Sequence, residues 1–236
     1  SKGIGAATAQ MLAKAGARIT AISRNPHDFV STLEGEGHTG ISLDLENQEA
    51  IDKFISSIEE CHILINNAAG PPGGPLLDNT IEDFEAPFKR HLHAAHTLVK
   101  GMVPLMEAAG MGRIVNIIST SVREPIPNIG LSNTLRGAMA SWAKSLSREL
   151  PPCITINNVL PGFTDTDRLG SLAKSINQRT GKSIDEIHHG WMSQVPIGRL
   201  IDPLETGAAI AYLCMPISSG IRGVSLAVDG GRMRSI

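Results

Sequence analysis

Three consecutive side-chain hydroxyls, Ser119-Thr120-Ser121, close an apolar, β-branched run that begins at Gly112. A proline-broken loop follows, and a helical pattern then runs from near Ile129 to Leu150. A serine at the C-terminal end of a strand, with polar side chains on the next helix, is a usual way for an α/β sheet to build an active site. Hydroxyls there can hold and polarise a carbonyl oxygen. A second chemical signal sits at the other end of the chain. Gly3-Ile4-Gly5 opens an Ala-rich helix, and glycine lets backbone approach a pyrophosphate that then rests on the helix N-terminus. A third is Arg24, just past the next strand. An acidic side chain at that place would bind the ribose 2′-hydroxyl of NAD, whereas arginine accommodates the 2′-phosphate of NADP. Arg24 therefore favours NADP(H), with NAD as the alternative.

The elements that must position these residues alternate. Apolar runs at 17–23, 39–43, 61–66, 112–118, 154–160 and 224–228 read as strands, separated by helical patterns. This is the signature of a parallel sheet with helices on both faces. A strand is expected before the glycine loop, and the sequence as given holds none. In a doubly wound sheet it would be central, so its absence would leave two strand edges unpaired. Thr80-Ile81-Glu82-Asp83 reads as a capping box, starting a helix towards Gly110 that is expected to bend or break at Pro87 and Pro104. Asp44 is placed to start the helix at Asn47. The polar stretch 167–195, with Gly170, Gly181 and Gly190 as breaks, reads as an excursion from the compact pattern.

Composition narrows the function classes. The chain has 236 residues, enough for one α/β domain, with 21 basic and 23 acidic side chains and no basic stripe for nucleic acid or a membrane surface. No run approaches the roughly 18 apolar residues of a membrane helix. Cys61, Cys153 and Cys214 lack metal or redox spacing and read as reduced core residues of a cytoplasmic protein. His91, His93 and His96 share a helix, but 91 and 93 stand about 200° apart on it, so no metal site is read there. The single tyrosine is Tyr212, far from the hydroxyl cluster.

Taken together, Gly3-Ile4-Gly5, Asp44, Asn66-Asn67-Ala68, Ser119, Pro161-Gly162 through Thr166, and Asp229-Gly230-Gly231 resemble, in order and spacing, the short-chain dehydrogenase/reductase family. The pattern is most similar to 3-oxoacyl-acyl-carrier-protein reductases, within a divergent group carrying Ser-Asn-x-x-Arg, here Ser132 to Arg136. The resemblance implies a Rossmann-like doubly wound sheet, one domain over 1–236, a substrate lid at about 167–195, and a homodimer or homotetramer. It implies cofactor contacts at Ser1, Lys2, Gly3, Ile4, Gly5, Arg24, Asp44, Leu45, Asn67, Ala68, Pro161, Gly162, Thr164 and Thr166. It implies hydride transfer between a nicotinamide and a carbonyl or alcohol substrate, with an acyl thioester among the candidates.

In that family a tyrosine thirteen residues after the serine supplies the proton, and a lysine four further on lowers its pKa. Here those places hold Ser132 and Arg136, and the place of His91 usually holds asparagine. Serine is a far weaker acid than tyrosine, and arginine can stabilise an alkoxide without relaying its proton. Three readings follow. One is a reductase in which Ser119 and Ser132 hold the carbonyl oxygen, Arg136 offsets charge, and His91 or water gives the proton. The others are a nucleotide-binding sensor or partner subunit without turnover, and unrelated chemistry in the same cleft. For His91 the competing reading is a ring that packs or bonds a backbone carbonyl. His188, His189, Trp191 and Met192 are read either as substrate contacts or as packing residues.

Overall fold

The computed structural model describes residues 1–235; residue 236, the last of the expected domain, lies outside the described residues. Helices and strands alternate as α1 (Gly3–Lys14), β1 (Thr20–Ser23), α2 (His27–Val30), β2 (Thr39–Ser42), α3 (Gln48–Ser56) and β3 (Ile63–Asn66). There follow α4 (Ile81–Phe88), α5 (Ala94–Ala108), β4 (Gly112–Ile117), α6 (Gly130–Glu149) and β5 (Ile154–Pro161). The chain ends with α7 (Asp167–Thr180), α8 (Ile184–Met192), α9 (Pro203–Cys214) and β6 (Ser225–Val228).

Every strand pair is parallel, in the order β3-β4-β5-β6 and, separately, β1-β2. Successive side chains on a strand point to opposite faces, and the core divides accordingly. Leu64 and Ile114 pack with Ile51, Phe54, Met102, Met106 and Ala143 on the face covered by α3, α5 and α6. Ile63, Ile65, Val115 and Ile117 pack with Leu12, Ile210 and Leu213 on the face covered by α1 and α9. Among the described residues, β1 and β3 each pair with one neighbour only.

An asparagine ladder crosses the larger sheet. Asn66 Nδ2 donates to Asn116 Oδ1 at 2.8 Å, Asn116 Nδ2 to Asn158 Oδ1 at 3.0 Å, and Asn158 Nδ2 to Ser225 Oγ at 3.1 Å. These four residues are also backbone register partners, so side chains and main chain specify the same pairing.

The Thr80 capping box forms as expected. The break in the following helix is a π turn at Lys89–His93, just past Pro87. Pro104, by contrast, lies inside α5, which runs on to Ala108. Helix α3 is capped by Asn47, whose side chain accepts from Ala50 N; Asp44 instead accepts from Glu46 N in the preceding turn. Large exposed apolar side chains include Ile81 at the start of α4, and Tyr212, Met215, Ile217 and Leu226 around α9 and β6.

Candidate active site

Because the strands are parallel, their C-terminal ends and the loops after them gather on one side. At β1 the N-terminus of α1 lies open. Its N-cap Lys2 makes no side-chain cap bond and its first turn holds no acid. Its leading N–H groups are therefore available to an anion. Ser23 Oγ donates to Ser1 Oγ at 3.3 Å, which brings that terminus beside Arg24 at the strand end. Gly3 has a left-handed φ of 53°, and a Cβ there would lie 3.2 Å from Thr166 Cγ2. A Cβ on Gly5 would meet Asn67 Nδ2 at 2.5 Å. The glycine loop, the end of β3 and the loop after β5 thus converge, and two glycines keep the space between them free of side chains. A dinucleotide's phosphates fit this cradle.

Several expected contacts take different places. Thr164 is 5% exposed and its hydroxyl donates to the Gly162 carbonyl at 3.3 Å. Its side chain is turned into the protein, leaving only its backbone for a ligand. Thr166, two residues on, caps α7 by accepting from Leu169 N. Pro161 closes β5 opposite Val228, and a Cβ on Gly162 would lie 2.7 Å from Asp229 Cα, so only glycine permits that approach. The Ile4 side chain packs in the core, leaving its backbone for a ligand. Leu45 packs against the opposite core and, with Asn67, Ala68 and His91, lines a small cavity behind the β3 loop. Asp44 remains exposed.

Ser119 stands just past β4 in extended backbone and its Oγ accepts from Ser121 N at 3.1 Å. Along α6, Asn133 Nδ2 donates to the Ile126 carbonyl at 2.9 Å, fixing the loop before the helix. One turn later Arg136 is 9% exposed, and Nη1 donates to the Ile117 carbonyl at 2.8 Å. Ser132 Oγ and Arg136 Nη2 both approach Gly70, in the loop after β3. Desolvation, and then the charge of Arg168, pull the Arg136 pKa down to about 10, which leaves it cationic at neutral pH.

His91 lies in the π turn, 4% exposed, with Nε2 at 2.9 Å from the Ala69 carbonyl. A carbonyl only accepts, so Nε2 carries the hydrogen. Burial, and then the Arg136 charge, push its pKa down to about 3 against the opposing Ala69 bond. The expectation that His91 supplies a proton near neutral pH is therefore corrected: the ring holds the Ala69–Gly70 loop. Arg90 helps, donating to the same carbonyl at 3.4 Å while paired with Glu46.

The stretch 167–195 forms α7 and α8 over a small core of Phe163, Ala173, Ile187, Trp191 and Val195. Trp191 stacks on Phe163 at 5.4 Å and on His188 at 5.3 Å between ring centroids, and Arg232 lies over Phe163 at 4.8 Å. Trp191 and His188 are thus packing residues. Sequence reasoning missed Arg168, whose Nη2 donates to the Pro71 carbonyl at 2.7 Å. An arginine in the first turn of a polar helix carries no sequence signal of its direction.

A family model described as enoyl-(acyl carrier protein) reductase matches residues 1–232. The chain belongs to the short-chain dehydrogenase/reductase family, a family of oxidoreductases. A 3-oxoacyl-acyl-carrier-protein reductase of Vibrio cholerae is 32% identical, over 98% of this chain and 93% of the relative. Among solved structures, YwfH, an NADPH-dependent reductase involved in bacilysin biosynthesis, matches with TM-score 0.90 at 27% identity, over 100% of this chain and 96% of that one. An actinorhodin polyketide ketoreductase with NADPH matches with TM-score 0.91 at 26% identity, over 99% and 94%. No helix among the described residues of this short-chain dehydrogenase/reductase is long and apolar enough to cross a membrane.

Proposed function

We propose that the chain is an NADPH-dependent carbonyl reductase whose proton comes from solvent. The supporting observation is the pairing of an open, uncapped α1 terminus beside Arg24 with a carbonyl side holding Ser119, Ser132 and Arg136. Ser1, Lys2, Gly3, Ile4 and Gly5 would hold the pyrophosphate and Arg24 the 2′-phosphate. Asp44, Leu45, Asn67, Ala68, Pro161, Gly162 and Thr166 would border the rest. When bound, the cofactor supplies a hydride to the carbonyl carbon, and the carbonyl becomes an alcohol on taking one proton. Ser119 and Ser132 would hold the oxygen, and Arg136 would offset its developing charge. Residues 167–195 would act as a lid over a single domain. The likeness to NADPH-dependent ketoreductases supports a small carbonyl compound or an acyl thioester as substrate, and we extend the proposal to a homodimer or homotetramer.

The test is NADPH binding by fluorescence and NADPH oxidation over a ketone panel. NADPH should bind at least about tenfold more tightly than NADH, a difference of about 1.4 kcal/mol, and Arg24→Asp should reverse the order. Binding without oxidation of any ketone would favour the sensor reading. Equal affinities for the two nucleotides would remove Arg24 from the assignment.

A further inference from the structure

Arg136 and Arg168 come together without a counter-charge. Measured from one point, the place a Cβ would take on Gly70, Arg136 Nη2 lies at 3.4 Å, Arg168 Nη2 at 3.8 Å and Ser132 Oγ at 3.9 Å. The ion pairs among the described residues include neither arginine. Each guanidinium has five N–H donors, and the contact made by each is to a backbone carbonyl, Ile117 for Arg136 and Pro71 for Arg168. Arg136 is more than nine-tenths buried. A buried charge without a partner is costly, and a second like charge close by adds to that cost. Both pressures vanish if an anion enters between them, since a guanidinium fork matches a planar carboxylate. Gly70 has no side chain to fill that place.

The position selects which anion. Arg136 is bonded to the last residue of β4, the strand that delivers Ser119, whereas the open N–H groups of α1 lie by the end of β1. The cationic pair therefore belongs to the carbonyl side and not to the phosphate cradle. Arg168 sits in the first turn of α7 and is an exposed residue whose guanidinium reaches in to the Pro71 carbonyl, so it can meet a ligand from that side while Arg136 waits below.

We infer that the substrate is an oxo acid, whose carboxylate is held between Arg136 and Arg168, with Arg136 also facing the carbonyl oxygen that Ser119 and Ser132 hold. This rests on the reductase reading, which supplies the hydride and the carbonyl. A neutral ketone would meet Arg136 through its carbonyl oxygen but leave Arg168 without a counter-charge, so the acid should be preferred over its ester.

The experiment compares pyruvate with methyl pyruvate and acetoacetate with methyl acetoacetate, titrated calorimetrically into the NADPH-saturated full chain and then assayed for NADPH oxidation. For the acid whose carbonyl fits, binding at least about tenfold tighter than that of its ester is expected, about 1.4 kcal/mol, falling as salt is raised. Arg168→Gln should bring the acid-to-ester ratio near one, and Arg168→Lys should retain part of it. Because Arg168 is exposed, both variants are expected to fold. NADPH affinity should change less than twofold in each. Acid and ester binding equally, no acid binding at all, or a preference that survives Arg168→Gln would each overturn the inference. A parallel loss of NADPH affinity would mean that the arginines hold a cofactor phosphate, which also overturns it. If the acids bind selectively but nothing is reduced, the reductase reading fails and the carboxylate site stands. If neutral ketones are reduced without any acid preference, the reverse holds.

Discussion

Beside α1 the mouth of the sheet offers an anion its backbone N–H groups, in an open groove where glycines keep side chains away. Beside α6 the same sheet offers side chains: a buried guanidinium, a second one from α7, and two serines. Backbone recognition depends on conformation and survives many side-chain changes. Side-chain recognition turns on single residues, so its chemistry can be redirected by a few substitutions. The family resemblance is preserved at the first region and departs at the second, at Ser132, Arg136 and His91. On the proposed reading, the positive charge of Arg136 stands beside Ser132, where the family places a proton donor.

Substitutions that strike one region and spare the other test this contrast. The largest effect is expected from Gly5→Val, which would push a side chain onto Asn67 and close the phosphate approach. Losing two charge-assisted bonds at about 1.5–2 kcal/mol each weakens NADPH binding by on the order of 10²–10³-fold. Fluorescence titration measures it, and an unchanged affinity would mean that the phosphates sit elsewhere. Next comes Ser119→Ala, which should lower kcat for ketone reduction by roughly 10²-fold, within the range for losing a positioned hydroxyl, with NADPH affinity unchanged. Steady-state kinetics beside a binding titration separates the two, and a variant reducing at the wild-type rate would take Ser119 out of the site.

The smallest effect is on stability. The His91 pKa, held at about 3 in the fold, is about 6.5 when unfolded. Between those values the unfolded chain binds the extra proton, so stability is full above pH 6.5 and falls with falling pH. By pH 5 the loss reaches up to about 2 kcal/mol. His91→Asn keeps a donor for the Ala69 carbonyl and removes the titration. Urea unfolding at pH 7 and pH 5 should show a shallower pH dependence for the variant; parallel slopes would place the titrating group elsewhere.

The alternation of strands and helices was legible because it rests on local signals. The Thr80 capping box, the apolar runs and the Pro-Gly and Gly-Gly turns each specify their own stretch of backbone. The candidate site was legible where backbone builds it, at Gly3, Gly5 and Gly162, whose close neighbours leave no room for a side chain. It was not legible where burial decides. Thr164 and Thr166 are equivalent in sequence, and only the docking of the loop against Ile201 turns the first one inward. His91 carries an ordinary imidazole until the Ala69 carbonyl and the Arg136 charge surround it. Arg168 reads as a solvated helix-start charge until the loop at Gly70 and Pro71 is brought beneath it.

The π turn at Lys89–His93 sets the rotational phase of everything after it. One extra residue in a helix advances the following side chains by about 100°. Ala94, Ala95, Leu98, Val99, Met102 and Met106 face the core because of that advance. Deleting a single residue from the turn would restore ordinary α-helical winding and leave this face on the sheet, but it would remove the widened turn that carries His91. The turn that holds His91 under Ala69 therefore also sets which residues of α5 face the core.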